Sequence, residues 1–419
     1  MLGRPAAAAT HVAEWMLEAA LGTTKASEAF AGMVERLRAQ GVQIDRAQLA
    51  YTTLHPLNRG VGATWTVQSG LEVERFTYDR DNHASGWYDS PIHYIAVNQI
   101  DRLRRRLSGP GATLDFPILR DFAERGLTDY YLVGQPFESF NASVDIRIEL
   151  GAETMTGLSA SYATEREGGF SDEELEILDW LTQPLAMVVK MADQRQVAIN
   201  LANCYIGREA GPRVLQGQIR RGDFASTPAV VWLSDLRAST EMSMRLPREE
   251  FITTINDFFD CTAGAVEAAG GEPLTFIGDG ALAIFPIEKM GERGARTAAL
   301  AAAEQATAGL TDLNLKRRET DQDELRWGIA LHAGVLEYGN IGSLTRHNWS
   351  VIGAVVNETA RLEGTTKEVG EPIVASRAFV EGLGGGWRSM GSFDLKGVPD
   401  LFEVFAPPIG SSATQETAA

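Results

Sequence analysis

The chain has 419 residues, 44% of them hydrophobic and 22% charged, with 56 acidic against 38 basic side chains and a formal charge of −18 at neutral pH. That length suits roughly two or three domains, each able to bury a core without covalent staples, and so acidic a balance excludes a general nucleic-acid binder, which needs a basic face against phosphate. Cys204 and Cys261 are the only cysteines, which excludes a disulfide scaffold and a Cys-x-x-Cys zinc site; with no run near the ~20 apolar residues of a membrane helix and no signal-peptide pattern, a cytoplasmic chain without membrane attachment is expected.

Residues 1–49 are expected to be N-terminal helices. Val12, Trp15, Met16 and Ala19 recur at helical spacing, and Met33, Leu37 and Val42 continue a second stripe. From residue 50 the pattern turns mixed. Residues 64–67 and 71–78 read as strands meeting near Ser69-Gly70, 118–125 as a helix, and 130–133, 144–150 and 158–162 as strands. Ser171 and Glu174 form a capping box ahead of Leu175, Leu178 and Leu181, opening a helix expected to run to about Gln194. The layout of residues 50–195, with Phe170-Ser171-Asp172-Glu173-Glu174-Leu175 leading into the closing helix, resembles a GAF-type sensory domain. That resemblance implies a regulatory unit for an unidentified ligand or signal.

Residues 196–228 read as a linker containing Gly207, Gly211-Pro212 and Arg220-Arg221, and a second domain is expected over 229–407. The tail 408–419, rich in Gly, Ser, Thr and Ala, is expected to be disordered.

In the second domain, Ala229-Val230-Val231-Trp232-Leu233 reads as a buried strand ended by Ser234 and Asp235. An aspartate at the C-terminal end of such a strand sits where α/β folds bind ligands. Taken singly it reads more readily as a helix cap. A helix with Phe251, Ile255, Phe258, Phe259 and Val266 on one side follows, stopping at Gly270-Gly271. Phe276-Ile277-Gly278-Asp279-Gly280 lies between two apolar strands, and Asp-Gly there is a hairpin signal. If that hairpin pairs beside the residue-229 strand, Asp235 and Asp279 point at one spot. Two hard carboxylates with few other ligands suit Mg²⁺ held together with substrate phosphates.

Residues 326–333 read as a strand in which His332 has no partner pattern and is taken as structural, and Gly339-Asn340-Ile341-Gly342 continues it. After a strand at 349–353 comes a helix carrying Asn357 and Arg361, i and i+4 on one face. The pair reads either as an exposed polar face or as an aligning amide and a planar clamp on phosphate charge. Phe393-Asp394-Leu395-Lys396-Gly397 ends a strand with a lysine before a turn.

The ordered series Asp235-Leu236-Arg237, Phe276 to Gly280, Gly339 to Gly342, Val356-Asn357-Glu358-Thr359-Ala360-Arg361-Leu362 and Leu395-Lys396-Gly397 resembles the class III nucleotidyl cyclase catalytic domain. The resemblance implies a ferredoxin-like α/β (α+β) core that works as a homodimer. One chain supplies the metal set Asp235, Asp279 and Leu236, holding two Mg²⁺ or Mn²⁺ ions per site. The other supplies Asn357 and Arg361 as catalytic groups and Lys396 for the terminal phosphates. A nucleoside triphosphate, ATP first, becomes a 3′,5′-cyclic nucleotide and pyrophosphate.

Several positions depart from that pattern. The base-reading lysine is Thr275 and its aspartate partner is Asn348, so the base falls to those two residues. GTP or a pyrimidine triphosphate is the alternative substrate, and a catalytically inactive nucleotide-binding regulator is the non-enzymatic alternative. The glycine and phenylalanine usual after the first metal motif are Ala238 and Ser239. The Gly-Gly-Glu-Glu-Phe hairpin of di-guanylate synthases is absent from the sequence.

Overall fold

The computed structural model describes residues 7–78, 84–137 and 157–408. The chain divides into two compact units, Met1–Leu201 and Ala202–Ala419. The strand expected at 144–150 and the tail from residue 409 lie outside the described residues.

The first unit opens with helices α1 (Ala7–Leu21) and α2 (Ala26–Ala39). Strands β1 (Arg46–Thr52), β2 (Asn58–Thr66) and β3 (Gly70–Thr77) follow, then helices α3 (Ala84–Tyr88) and α4 (Pro91–Asn98). Strand β4 (Arg102–Arg106), helix α5 (Pro117–Glu124) and strands β5 (Asp129–Pro136) and β6 (Gly157–Thr164) come next, and the long helix α6 (Asp172–Ile206) closes it, with its residues from Ala202 on counted in the second unit. The sheet is antiparallel in the order β3-β2-β1-β6-β5-β4. One face buries Met33, Leu37, Leu49, Tyr162, Leu178 and Leu185, drawn from α2, the sheet and α6. The other buries Ile95 of α4 and Leu119 and Phe122 of α5 against Leu103 and Leu132.

Two local expectations shift. The helical segment expected to residue 49 gives way at Gly41, with φ +93, and β1 starts at Arg46. Helix α6 does not stop near Gln194 but runs to Ile206. Residues 195–206 contain no Gly or Pro, and the break waits for Gly207, whose φ of +107 side-chain-bearing residues resist. The capping box forms: Ser171 N–H donates to the Glu174 carboxylate at 2.8 Å, and Glu174 N–H donates to Ser171 Oγ at 3.2 Å.

The second unit contains helix α7 (Ala210–Leu215), strand β7 (Phe224–Leu236), helices α8 (Ser239–Arg245) and α9 (Arg248–Ala268), and strands β8 (Glu272–Ile277) and β9 (Gly280–Pro286). Helices α10 (Ile287–Met290) and α11 (Glu292–Glu319), strands β10 (Trp327–Gly342) and β11 (His347–Ile352), and helix α12 (Ala354–Val369) come next. Strand β12 (Ile373–Ser376), helix α13 (Arg377–Val380) and strands β13 (Arg388–Phe393) and β14 (Phe402–Ala406) close it. The strand expected from residue 229 starts at Phe224, because β10 pairs with it as far as Phe224↔Gly339.

The sheet order is β13-β14-β12-β10-β7-β9-β8, with β11 paired to β10. Within it, β10-β7-β9-β8 is wholly antiparallel, with α8 and α9 between β7 and β8 and α11 between β9 and β10. That β-α-β-β-α-β path is the ferredoxin-like core in a mixed α+β unit. Alternation along β7 sets its two faces. Val230, Trp232 and Leu236 meet Phe258, Val266, Ala299 and Ala303 of α9 and α11. Ala229 and Val231 meet Leu282, Ile284, Tyr338 and Val355 on the opposite side. The alanines of α11 let it lie close on the sheet, and no described helix is long and apolar enough to cross a membrane.

Candidate active site

Strand β7 delivers Asp235 one residue before its end, directly across from Gly280 of β9. The Leu236 N–H donates to the Asp279 carbonyl at 3.3 Å, so the hairpin tip is stitched to the strand end. Ile277 pairs with Gly280, which leaves Gly278 and Asp279 as the two loop residues. The expected Asp-Gly turn is therefore shifted by one position. Gly278 takes the positive φ, +64, and Gly280 belongs to the strand, where a Cβ would come within 2.9 Å of the Ser234 carbonyl.

The two carboxylates are half-buried neighbours. Burial pushes the Asp235 carboxyl above its usual range, and the charge of Asp279 pushes it further. A divalent cation relieves both effects at once. Among the described residues no cluster of three or more His, Cys, Asp or Glu forms a closed metal nest. Two hard carboxylates and the Leu236 carbonyl fit Mg²⁺ or Mn²⁺ with positions left for phosphate and water. The Leu236 side chain lies in the core at 1% exposure, so its carbonyl is the group it has to offer.

A polar cluster backs this strand end. Gly328 of β10 is the other cross-strand partner of Asp235. A Cβ on Gly328 would fall 2.1 Å from Glu363 Oε1, 2.6 Å from Thr366 Oγ1 and 3.2 Å from Arg237 Nη2. Arg237 donates from Nε to the Trp327 carbonyl at 3.0 Å and from Nη2 to Thr366 Oγ1 at 2.5 Å. Burial raises the Glu363 carboxyl, with Asp235 adding to it, and burial lowers the Arg237 guanidinium. Sequence reading missed Gly328, Glu363 and Thr366. Arg237, beside the first aspartate, was the one available signal.

Helix α12 buries Val355, Thr359, Leu362 and Thr366 and leaves Asn357 and Arg361 exposed off that stripe. Lys396 is exposed in the turn after β13, where Val398 N–H donates to the Leu395 carbonyl at 2.9 Å and Gly397 has φ +85. The Gly339-Asn340 pair pins the segment before β7. Asn340 donates from its amide nitrogen to the Gln218 carbonyl at 2.8 Å and from its N–H to the Asp223 carbonyl at 3.0 Å. His332, expected to lack a partner pattern, has two partners: Ser376 Oγ at 2.7 Å from Nδ1 and Glu358 Oε2 at 2.8 Å from Nε2.

Thr275 sits half-buried on β8 and Asn348 exposed on β11, strands that do not pair. Tyr338 connects the two strands. Its hydroxyl donates to Glu272 Oε1 at 2.9 Å, three residues before Thr275, and its ring meets Trp349 edge-on at 5.7 Å, next to Asn348. The Glu209 N–H also donates to Glu272 Oε1, at 3.2 Å. Burial raises both the Glu272 carboxyl and the Tyr338 hydroxyl.

No family model matches the chain. An adenylate cyclase of Anabaena cylindrica is 30% identical over 169 residues, covering 39% of this chain and 32% of that protein. Adenylate cyclase 1 of Rhizobium meliloti (strain 1021) is 28% identical over 179 residues, 41% of this chain and 26% of that protein. The matched stretch thus spans a third or less of the length of these curated relatives. A crystal structure of the guanylyl cyclase Cya2 aligns with 44% of this chain and 93% of its own, at 29% identity and a TM-score of 0.39. In its ordered motifs and in the stretch it shares with these curated relatives, the second unit is similar to the class III nucleotidyl cyclase catalytic domains.

Proposed function

We propose that the chain converts ATP to 3′,5′-cyclic AMP and pyrophosphate. The observation that carries this reading is the juxtaposition of Asp235 and Asp279, with Asp235 held above its usual range by burial and by its neighbour. When bound by the two aspartates and the Leu236 carbonyl, two Mg²⁺ or Mn²⁺ ions supply Lewis acidity to the attacking hydroxyl and the leaving phosphates. The ribose 3′-hydroxyl loses its proton to solvent water, its oxygen bonds to the α-phosphorus, and the bond from that phosphorus to the bridging oxygen breaks as pyrophosphate leaves. Arg361 stabilises charge on the α-phosphate oxygens, Asn357 aligns the ribose, and Lys396 holds the terminal phosphates. The exposure of all three side chains supports a site completed by a second copy of the chain.

Thr275 and Asn348 read the base. The Asn348 amide oxygen can accept from the adenine amino group, and the two relatives named adenylate cyclase support ATP. A second reading, cyclisation of GTP or a pyrimidine triphosphate, is favoured by Thr275 and Asn348 standing where a lysine and an aspartate read adenine. The first unit is assigned a GAF-like regulatory role in the cytoplasm, passing its signal along α6. Its helix–sheet–helix layering supports that role, as does a cavity of about 360 Å³ lined by Arg102, Gln135, Asp179 and Trp180 among others.

The test is a product assay on the full chain. ATP, GTP, CTP and UTP are supplied in equal amounts with Mg²⁺ or Mn²⁺, products are identified by mass spectrometry, and Asp235→Ala is the blank. Cyclic AMP that drops by about 10²–10³ in the variant supports the reading. Another cyclic nucleotide selects the second reading. No cyclic product with either metal leaves two readings, a first unit without its activating signal or a nucleotide-binding regulator that does no chemistry.

A further inference from the structure

The turn between β7 and α8 is built differently here from the pattern this domain otherwise follows. Ala238 occupies the glycine position, yet it takes φ +60 and ψ 20, the left-handed conformation that costs a residue with a Cβ. Ser239 occupies the phenylalanine position, and its hydroxyl donates to Asp279 Oδ2. A phenyl ring can make no such bond. Among the described residues, Ser239 is the one side chain that donates to Asp279, and none donates to the Asp235 carboxylate. Ser239 also lines, with Thr240, Phe251, Ile255, Asn256 and Asp279, a largely apolar cavity of about 360 Å³ that opens beside the carboxylate.

We propose that Ser239 is a positioning residue for Asp279. The inference rests on the reading of Asp279 as a metal carboxylate. The rotation of an aspartate carboxyl about its last bond is broad and nearly two-fold. A donor on Oδ2 selects one orientation and leaves Oδ1 free to ligate. The ordering is then present before the cation arrives, so binding does not have to supply it. Outer partners of ligating carboxylates contribute in this way, typically 10–100-fold in metal affinity. Ala238 is part of the device: the left-handed residue turns the chain so that the next side chain meets the hairpin tip rather than solvent. The structure thus places the hydroxyl on the carboxylate that comes from the hairpin, the less firmly held of the two segments, since Asp235 lies within a strand paired on both sides.

The experiment titrates Mn²⁺ alone into the full-length protein and follows the free ion by electron paramagnetic resonance, with thermal melts of each variant lacking metal. Ser239→Ala is expected to raise the Mn²⁺ Kd by about 10-fold with an unchanged melt, and Ser239→Thr, which keeps the hydroxyl, to stay within about two-fold of the parent. Should Ser239→Ala fail to fold, Ser239→Thr and the near-isosteric Ser239→Cys carry the comparison, with the weaker thiol donor expected to bind Mn²⁺ less tightly than the hydroxyl. An unchanged Kd in Ser239→Ala, or equal weakening in the alanine and threonine variants, overturns the proposal. Asp279→Ala separates the two layers. Loss of Mn²⁺ binding there upholds the metal reading whatever Ser239 does, and parent-like binding there sinks the metal reading and the role of Ser239 together.

Discussion

His332 Nε2 lies 2.8 Å from the Glu358 carboxylate while Nδ1 lies 2.7 Å from the Ser376 hydroxyl, so one imidazole ties the central strand β10 to α12 and to the end of β12. Glu358 directly follows Asn357, which makes this contact part of what fixes the helix bearing Asn357 and Arg361. His332 is 6% exposed, and burial holds its pKa below the ordinary imidazole value against the opposing pull of Glu358. In the unfolded chain a histidine titrates near ~6.5. Below that pH the unfolded state takes up the proton more readily than the folded one, so this group's contribution to stability is present above ~6.5 and is lost as pH falls toward the folded pKa. His332→Gln is expected to flatten the Tm-versus-pH curve below about pH 6.5. A curve with the parent's slope there would show that His332 does not govern it.

Glu272 presents the opposite sign. It is 6% exposed, its Oε2 has no hydrogen-bond partner among the described residues, and burial raises its carboxyl pKa. A raised folded pKa stabilises at low pH, and that contribution disappears as pH rises through it. Glu272→Gln keeps an acceptor for the Tyr338 hydroxyl and removes the buried charge. The variant is expected to gain ~1 kcal/mol at pH 7.5, roughly 2–4 °C in Tm for a unit of this size, with the gain vanishing near pH 4. A lower Tm at pH 7.5 would mean that the charge is compensated in a way the geometry does not show.

Two glycines in the second unit carry opposite expectations for the same substitution. A Cβ on Gly339 would fall 2.1 Å from the Asp223 carbonyl and 2.7 Å from Phe224 Cα, both main-chain atoms that cannot turn aside. Gly339→Ala is expected to cost ~1–3 kcal/mol and to speed amide exchange at the start of β7. Gly364 lies within α12, and among the described residues nothing beyond its own stretch of helix backbone comes within 4 Å of where its Cβ would stand. Gly364→Ala is expected to stabilise by about 0.5–1 kcal/mol. Equal melts for the two variants would count against both.

A site divided between two copies of the chain predicts rescue by mixing. Asp279→Ala and Arg361→Ala should each be inactive alone. Coexpressed, they form heterodimers with one intact site of two, about a quarter of the parent's activity at random pairing. Absence of rescue, with dimers present by sedimentation, would place all the groups in one chain.

The amino-acid sequence by itself determined the parts of this protein that depend on local spacing. The α9 stripe, the capping box at Ser171 and Glu174, the Gly278-Asp279 hairpin to within one position and the exposed Asn357–Arg361 pair follow from helical period, turn chemistry and end-capping, which act over a few residues. The ferredoxin-like strand order and the kinship with the cyclase domains were legible because several short motifs stand in one order. The tertiary structure alone decided which distant side chains meet. Arg237 reaches Thr366 across 129 positions, Tyr338 reaches Glu272 across 66, and His332 finds Glu358 across 26. No local period encodes such meetings, because neighbours across a sheet are set by strand pairing and by which helix covers which face. That is why His332 read as structural without its partners being named, why Glu363 and Gly328 went unread, and why the hydroxyl of Ser239, a departure from pattern in the sequence, acquires a role only where the β8–β9 hairpin brings Asp279 beside it.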